Sequence, residues 1–433
     1  MLYSLTKPFA KIALGIYFRK IYLTNREAVP KDKPVILAVN HPTAFIEPCI
    51  LSCWLDRPLS FIARGDLYLN KFFVRKLYDW YRLVPVFRLD DAGYGHLKSN
   101  YNSFDRCFDA LAQKRVLMIL AEGRTKHEKR LRPIMKGTAR IVFGTLEKHG
   151  DLNIHIVPVG VNYTDSDSFR REVMIDFGEP IRASEYSELY RESPPKAVNQ
   201  LTTEIGKRLA ERVIHIADPK DDDLVEKLLE MKRSERTEKI FPSYVPDRRP
   251  LQEEMAIARW VNALDPAEKA ALQKRTDKYF LNLRKYGLSD KGLMDHVTYS
   301  LKSAMFLGIG WVPYMIGYFL NFLPLKLGDT LGSRLAGRIE FRAALSIVFS
   351  AFAYLIYWFI WLAAALVVRQ TWLFAMLALI PMLGFFAILY RDVDKRWKAC
   401  QRASLLEDEE LEALVKLRDE VGLPDIDQGF AQK

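Results

Sequence analysis

The stretch VILAVNHPTAFIEP, residues 35–48, decides how the rest of the chain is read. Five aliphatic residues open it, the composition of a strand covered on both faces. Asn40 and His41 follow at the strand end, Pro42 stiffens the turn, and a carboxylate arrives at Glu47. Comparable apolar runs recur as LSFIA (59–63), VPVF (84–87), VLMIL (116–120), IHIVPVGV (154–161) and VMIDF (173–177). The intervening segments 102–113 and 136–148 carry apolar residues at helical spacing. Strands that alternate with helices predict an α/β domain, here over residues 31–217.

From Asp218 the composition changes. An acidic cluster at Asp221, Asp222 and Asp223 leads into mixed charge up to Lys239, and Pro242, Pro246 and Pro250 follow at intervals of four. Residues 218–300 therefore read as a charged helical connector, with Leu251–Tyr286 helical, and 401–433 as a tail holding a charged amphipathic helix over Leu405–Val421. The chain has 433 residues, 49% of them hydrophobic, which is too apolar for a disordered protein. Its 64 Lys plus Arg against 53 Asp plus Glu leave a charge of +11 and imply an anionic partner: nucleic acid, acidic lipid or an acidic carrier. Four cysteines, Cys49, Cys53, Cys107 and Cys400, are too few for a disulfide scaffold and point to folding in a reducing compartment. Cys49 and Cys53 read as small buried hydrophobes rather than ligands.

Ala343–Val368 runs without a charge for about 39 Å as a helix, enough to cross a hydrocarbon core of roughly 30 Å. After only Arg369 and Gln370, Thr371–Tyr390 does the same, with a single Pro381 that a membrane helix tolerates. Neither has the polar stripe of a soluble helix, so 343–368 and 371–390 predict a transmembrane hairpin. Arg334, Arg338 and Arg342 precede it and Arg391, Lys395, Arg396 and Lys398 follow, whereas the tip has Arg369 alone. This asymmetry predicts an integral membrane protein with both ends of the hairpin, and the α/β domain, in the cytoplasm. Within the membrane region 301–400, the uncharged stretch 303–325 is interrupted by Gly308, Gly310, Pro313, Gly317, Asn321 and Pro324, and is expected to be re-entrant or interfacial. At the N-terminus, Phe9, Ile12, Ala13, Ile16 and Leu23 lie at helical spacing among Lys7, Lys11, Arg19 and Lys20. Residues 1–30 are expected to associate with anionic lipid, and charges interrupt each apolar run before a signal-peptide core forms.

Two places suit chemistry. A carboxylate near an imidazole fixes its tautomer and supports the imidazolium formed when it takes a proton, so His41 with Glu47 reads either as a turn-capping cluster or as a general base with its partner. The segment LAEGRTKHEKRLRPIMKGTARIVF puts Glu122, Gly123 and Arg124 directly after a strand, inside a run of seven Lys or Arg at 124, 126, 129, 130, 132, 136 and 140. That is a solvated basic face or a phosphate site, since backbone N–H groups at a Gly and an Arg fork both suit an anion. No Gly-Lys-Ser/Thr closes a P-loop, no Gly-x-Ser-x-Gly nucleophile appears, and His and Cys spacing fits no zinc pattern. No nucleic-acid reading module is recognisable either.

In order, NHPTAFIEP, LVPVFRLDD, LAEGRTK and IVPVGVNY resemble the four sequence blocks of the glycerophospholipid acyltransferase family. The resemblance covers about residues 31–217. It implies an acyltransferase-type mixed sheet flanked by helices, followed here by the helical region and the C-terminal transmembrane hairpin. By this resemblance His41 is the general base and Glu47 its acidic partner, and the substrate is bound by Asn40, Arg88, Glu122, Gly123 and Arg124, with Pro158 bordering the acyl site. The implied reaction moves a fatty acyl chain from acyl-CoA or an acyl carrier protein thioester to a hydroxyl of lysophosphatidate. It needs no metal and no cofactor beyond that co-substrate. Glycerol 3-phosphate as acceptor and a catalytically silent lipid-binding protein are the alternatives. Membrane lipids, the acceptor and the thioester donor are the expected partners, and nucleic acid is not. The chain departs from the family where Ile46 stands five positions after the His and the carboxylate comes one later. This spacing is closer to a branch that includes some glycerol 3-phosphate acyltransferases. Thr125 stands where the family has Arg, and Leu120-Ala121 replace the common Phe-Pro.

Overall fold

Five strands of the α/β region run parallel because each returns through a helix to the same end of the sheet. The computed structural model describes residues 2–64, 72–86, 97–236, 243–295 and 301–425. Among the described residues, nine strands form one sheet: β1 Lys20–Thr24, β2 Val35–Val39, β3 Leu59–Arg64, β4 Leu83–Val86, β5 Val116–Leu120, β6 His155–Tyr163, β7 Glu172–Phe177, β8 Ile181–Arg182 and β9 Tyr244–Val245. The order is β4-β3-β5-β2-β6-β7-β1-β9, with β8 beside β6. Strands β2 to β6 pair in parallel, β6 with β7 antiparallel and β7 with β1 parallel, so the sheet is mixed, as expected.

Helices α1 Leu2–Tyr17, α2 Ile46–Trp54, α3 Phe72–Trp80, α4 Leu97–Ala112, α5 Gly137–His149, α6 Ser187–Glu192 and α7 Pro194–Ala210 accompany the sheet. Every residue of β2 is buried, as its unbroken aliphatic sequence requires for a central strand. Ile36, Leu117 and Ile156 from β2, β5 and β6 share a core with Leu111 of α4, Phe143 of α5 and Leu201 of α7. The register pairs Val39 with both Leu120 and Val159, so the chain leaves β2, β5 and β6 at one edge. That edge gathers residues 40–43, 121–126 and the end of β6, the usual place for a ligand in a parallel sheet. Strand β1, inside the segment read as a membrane-associating N-terminus, escapes sequence reading because it is short and opens on the buried Lys20. Of the two neighbouring cysteines, Cys53 is buried as expected, whereas Cys49 is exposed on α2.

This sheet unit comprises Met1–Ile214, Ser243–Arg248 and Gly337–Ala344, and a second compact unit holds His215–Pro242, Arg249–Ala336 and Leu345–Lys433. The second unit contains α8 Asp222–Glu235, α9 Arg249–Ala263, α10 Pro266–Lys285, α11 Asp290–Met294, α12 Leu301–Leu335, most of α13 Ile339–Val368, α14 Thr371–Ala403 and α15 Asp408–Val421. The helical stretch expected over 251–286 divides at Asp265, whose carboxylate accepts from Ala267 and Glu268 N–H in a capping box that starts α10 at Pro266. Tyr279 donates to the buried Asp290 at 2.5 Å, and Arg418 of α15 reaches the same carboxylate oxygen at 2.9 Å, fastening the C-terminal helix.

Among the described residues, three helices, α12, α13 and α14, are long and apolar enough to cross a membrane. The sequence predicts two of them as a hairpin and reads 303–325 as re-entrant or interfacial, a poor straight helix. Instead α12 is continuous for 35 residues through Pro313 and Pro324. Its small residues form a buried stripe with Leu307, Gly310, Gly317, Asn321, Gly328 and Gly332 in line, so they are interface rather than helix breaks. Asn321 donates to Gly317 O at 2.8 Å and Ile380 O at 3.1 Å and accepts from Tyr354 at 2.7 Å, which joins α12, α13 and α14. Tyr390 donates to Leu307 O at 2.9 Å near one end of α12, and Ser346 donates to Asp329 at 3.0 Å near the other. Both ends of α12 thus meet residues far from the α13–α14 tip at Arg369 and Gln370. A Cβ at Gly317 would stand 2.3 Å from Leu383 O. Gly317→Ala is therefore expected to push α12 from α14 and lower the stability of the detergent-solubilised protein by about 1–3 kcal/mol, read by thermal melting; an unchanged melting curve would show that this contact is not tight.

Candidate active site

His41 emerges from β2 with little freedom. The preceding Asn40 donates through Nδ2 to Val161 O at 2.9 Å and accepts through Oδ1 from Val161 N–H at 2.7 Å. Its amide is thus engaged with the backbone of β6 and ties the end of β2 to that strand. The His41 N–H donates to Glu122 Oε2 at 2.7 Å, and its carbonyl accepts from Arg132 at 3.4 Å. The imidazole is largely buried, and its two nitrogens face different groups.

Glu122 is buried at the end of β5, and both its oxygens have internal partners. Oε2 accepts from the His41 N–H and from the Arg132 guanidinium at 3.0 Å, while Oε1 accepts from the Arg132 N–H at 2.8 Å. The same guanidinium also donates to Arg124 O. One carboxylate therefore ties the end of β2, the turn after β5 and the chain at 132 together. Gly123, with φ +72°, sits in that turn, where a side chain would be strained and would crowd Met135 at 3.1 Å. Its N–H donates to Leu120 O at 3.1 Å.

Behind the imidazole lies Glu47, on the first turn of α2 and fully buried. Its Oε1 accepts from Thr43 N–H at 2.6 Å and Thr43 Oγ1 at 2.9 Å, and stands 4.0 Å from His41 Nδ1. That gap exceeds a hydrogen bond, and Oε2 of Glu47 has no hydrogen-bond partner among the described residues. Tyr163 at the end of β6 lies 3.4 Å from Thr43 Oγ1, and burial, reinforced by the Glu47 charge, holds its phenol well above the usual pKa, so it stays protonated. On the other side of the ring, Thr125 Oγ1 stands 2.6 Å from His41 Nε2. A hydroxyl on one nitrogen and a carboxylate behind the other is the arrangement with which an imidazole removes a proton from an alcohol.

The structure thus brings Asn40, His41, Glu47, Glu122, Gly123 and Arg124 to one edge of the sheet. Arg124 is exposed there. Pro158 is buried within β6, opposite Ala38 of β2, and its carbonyl accepts from Gly178 N–H at 2.7 Å. Arg88 lies outside the described residues. The basic run is not a simple solvated face: Glu128 pairs with Lys126 at 2.9 Å and Arg132 at 3.7 Å, and Lys129 donates to Thr164 O at 3.1 Å. Sequence reading missed the particular duties of Arg132, Thr125, Thr43 and Tyr163. The run of cations hid Arg132, and the closeness of Thr43 to Glu47, one helical turn apart, was the sole local signal. Among the described residues, no group of three or more His, Cys, Asp or Glu is placed to hold a metal ion.

The profile of the family described as Acyltransferase matches residues 20–162. Glycerol-3-phosphate O-acyltransferase 1 of Saccharomyces cerevisiae is 32% identical over 118 residues, 27% of this chain and 16% of the yeast protein. Glycerol-3-phosphate O-acyltransferase 2 of the same yeast is 30% identical over 117 residues, again 27% of this chain and 16% of the relative. The likeness thus spans about a sixth of those proteins. Among solved structures, the 1-acyl-sn-glycerophosphate acyltransferase PlsC of Thermotoga maritima aligns with a TM-score of 0.36 and 15% identity over 48% of this chain and 79% of its own. Arg132→Ala, which removes one partner of the buried Glu122, is expected to cost roughly 2–3 kcal/mol, less than a fully buried pair because Arg132 keeps some solvent contact, and to lower the melting temperature by about 5 °C. An unchanged melting temperature would contradict the clamp.

Proposed function

We propose, for a chain whose residues 20–162 belong to the acyltransferase family, that it transfers a fatty acyl group from a thioester to the hydroxyl of a glycerol phosphate acceptor, with lysophosphatidate as that acceptor. The observation that carries this reading is the buried His41 imidazole, with a hydroxyl 2.6 Å from Nε2 and the Glu47 carboxylate 4.0 Å behind Nδ1. In the reaction, the acceptor hydroxyl takes the place that Thr125 Oγ1 holds and gives its proton to Nε2. Its oxygen attacks the thioester carbonyl, the C–S bond breaks, and the departing thiolate recovers the proton from Nε2. Glu47 supports the imidazolium between these events, and a small rotation brings its unpartnered Oε2 towards Nδ1. The thioester, from acyl-CoA or an acyl carrier protein, supplies the activation, so the step calls on no further cofactor.

Arg88 and Arg124 are assigned to the phosphate, with Gly123 shaping the turn beside it. Glu122 and Asn40 are assigned to positioning, because their polar atoms already hold the backbone of the site. Pro158 is assigned to the apolar floor on the β6 side. Glycerol 3-phosphate is the second reading, favoured by the one-residue delay of Glu47 and by the printed activity of the yeast relatives.

Labelled acyl thioester offered to membranes containing the chain, with lysophosphatidate and glycerol 3-phosphate in separate reactions, is expected to yield labelled phosphatidate with the first and no product in the His41→Ala protein. Product with glycerol 3-phosphate alone would transfer the assignment to the second reading, and full activity of His41→Ala would remove both. The catalytic unit is assigned to the cytoplasmic face from the flanking cations. A cysteine replacing Gln370 should then react with an impermeant reagent added outside intact cells, whereas one replacing Glu412 should not; equal labelling of the two would contradict this orientation.

A further inference from the structure

The seven residues from Pro42 to Pro48 decide whether Glu47 stands behind His41. Within them Phe45 has φ +65°, a left-handed conformation that bulky residues avoid and that persists only where neighbours hold it. It is half exposed and immediately precedes the first residue of α2. What holds it comes from far along the sequence. Gly337–Ala344, which covers the break after α12 and the first turns of α13, belongs to the sheet unit. Glu340 O accepts from the Ala44 N–H at 3.1 Å, and the Phe341 ring packs on Phe45 with centroids 5.8 Å apart. Arg342 pairs with Asp167 at 3.1 Å, in the loop that follows β6 and Tyr163. His127, held below its usual pKa by burial, feels the opposing charges of Glu340, Asp167 and Glu47, which places the strap's carboxylate near the same loops. The strap is thus fastened to the turn after His41 and to the loop after β6, and it lies outside residues 20–162, which match the family.

We propose that residues 337–344 form a positioning strap for the catalytic turn: by gripping Ala44 and Phe45 they keep Glu47 behind His41, so the N-terminal start of α13 is a working part of the active site and not an anchor alone. The proposal rests on the reading of His41 as the base. Nothing in the strap is assigned to substrate, so its loss should act on turnover rather than on binding.

The test uses the full chain in membranes with saturable donor and acceptor. Phe341→Ala is expected to lower kcat about 10-fold while both KM values stay within about twofold, and Phe341→Tyr, which keeps the ring, to restore most of it. Arg342→Asp should lower kcat about threefold, and adding Asp167→Arg in the same chain should recover it. Melting of each purified variant separates misfolding from mispositioning, since the charge-exchanged protein must both fold and turn over. Unchanged kcat in Phe341→Ala, a change confined to KM, or no recovery on charge exchange would overturn the strap. Full activity of His41→Ala would instead remove the functional reading beneath it.

Discussion

The site depends on one buried carboxylate. Glu122 receives the His41 N–H, the Arg132 N–H and the Arg132 guanidinium at the meeting of β2 and β5. A carboxylate so placed is costly to bury unless every oxygen has partners. Those partners come from two other chain segments, at His41 and at Arg132, so satisfying the charge also fixes three segments relative to one another. His41, the proposed base, sits on a backbone held in this way, while among the described residues its Nδ1 has no hydrogen-bond partner and faces the Glu47 carboxylate at 4.0 Å. Rigid backbone and adjustable side chain suit a group that must gain and lose a proton without moving far.

The sheet makes that meeting possible. Parallel pairing of β2 with β5 and β6 brings three chain exits to one edge. Asn40 repeats at β6 what Glu122 does at β5, by exchanging two hydrogen bonds with Val161. In the second unit the same economy operates without charge. Glycines along α12 let backbones approach α13 and α14, and the single amide of Asn321 serves all three helices.

Much of this was legible in the sequence because it is local. The apolar runs at 35–39 and 116–120 became strands with the same limits, since five residues rich in Val, Ile and Leu suit a buried strand better than a helix of ordinary length. His41 and the Glu-Gly turn were visible because they follow strands directly, and Glu47 because it is the first carboxylate after His41. The duties of Asn40 and Glu122 were not, since nothing in the sequence says that their polar atoms are already engaged by Val161, His41 and Arg132. Thr125 reads as a departure from a motif, yet its hydroxyl lies on the imidazole. The segment 303–325 reads as a poor straight helix because Gly and Pro penalise an isolated helix. Packed against neighbours, the same residues are what permits close approach. The strap at 337–344 left no local signal, as its contacts at Ala44, Phe45 and Asp167 are all distant in sequence.

The central claim is that His41 and Glu47 act as one unit on an acceptor hydroxyl. It is tested most directly by comparing kcat for Glu47→Gln, His41→Ala and the double variant under one set of saturating conditions. The account predicts that Glu47→Gln loses about 10² to 10⁴ in kcat with the fold intact, and that the double variant is little worse than His41→Ala. Near wild-type turnover in Glu47→Gln beside an inactive His41→Ala would contradict it and transfer the orienting role to another carboxylate.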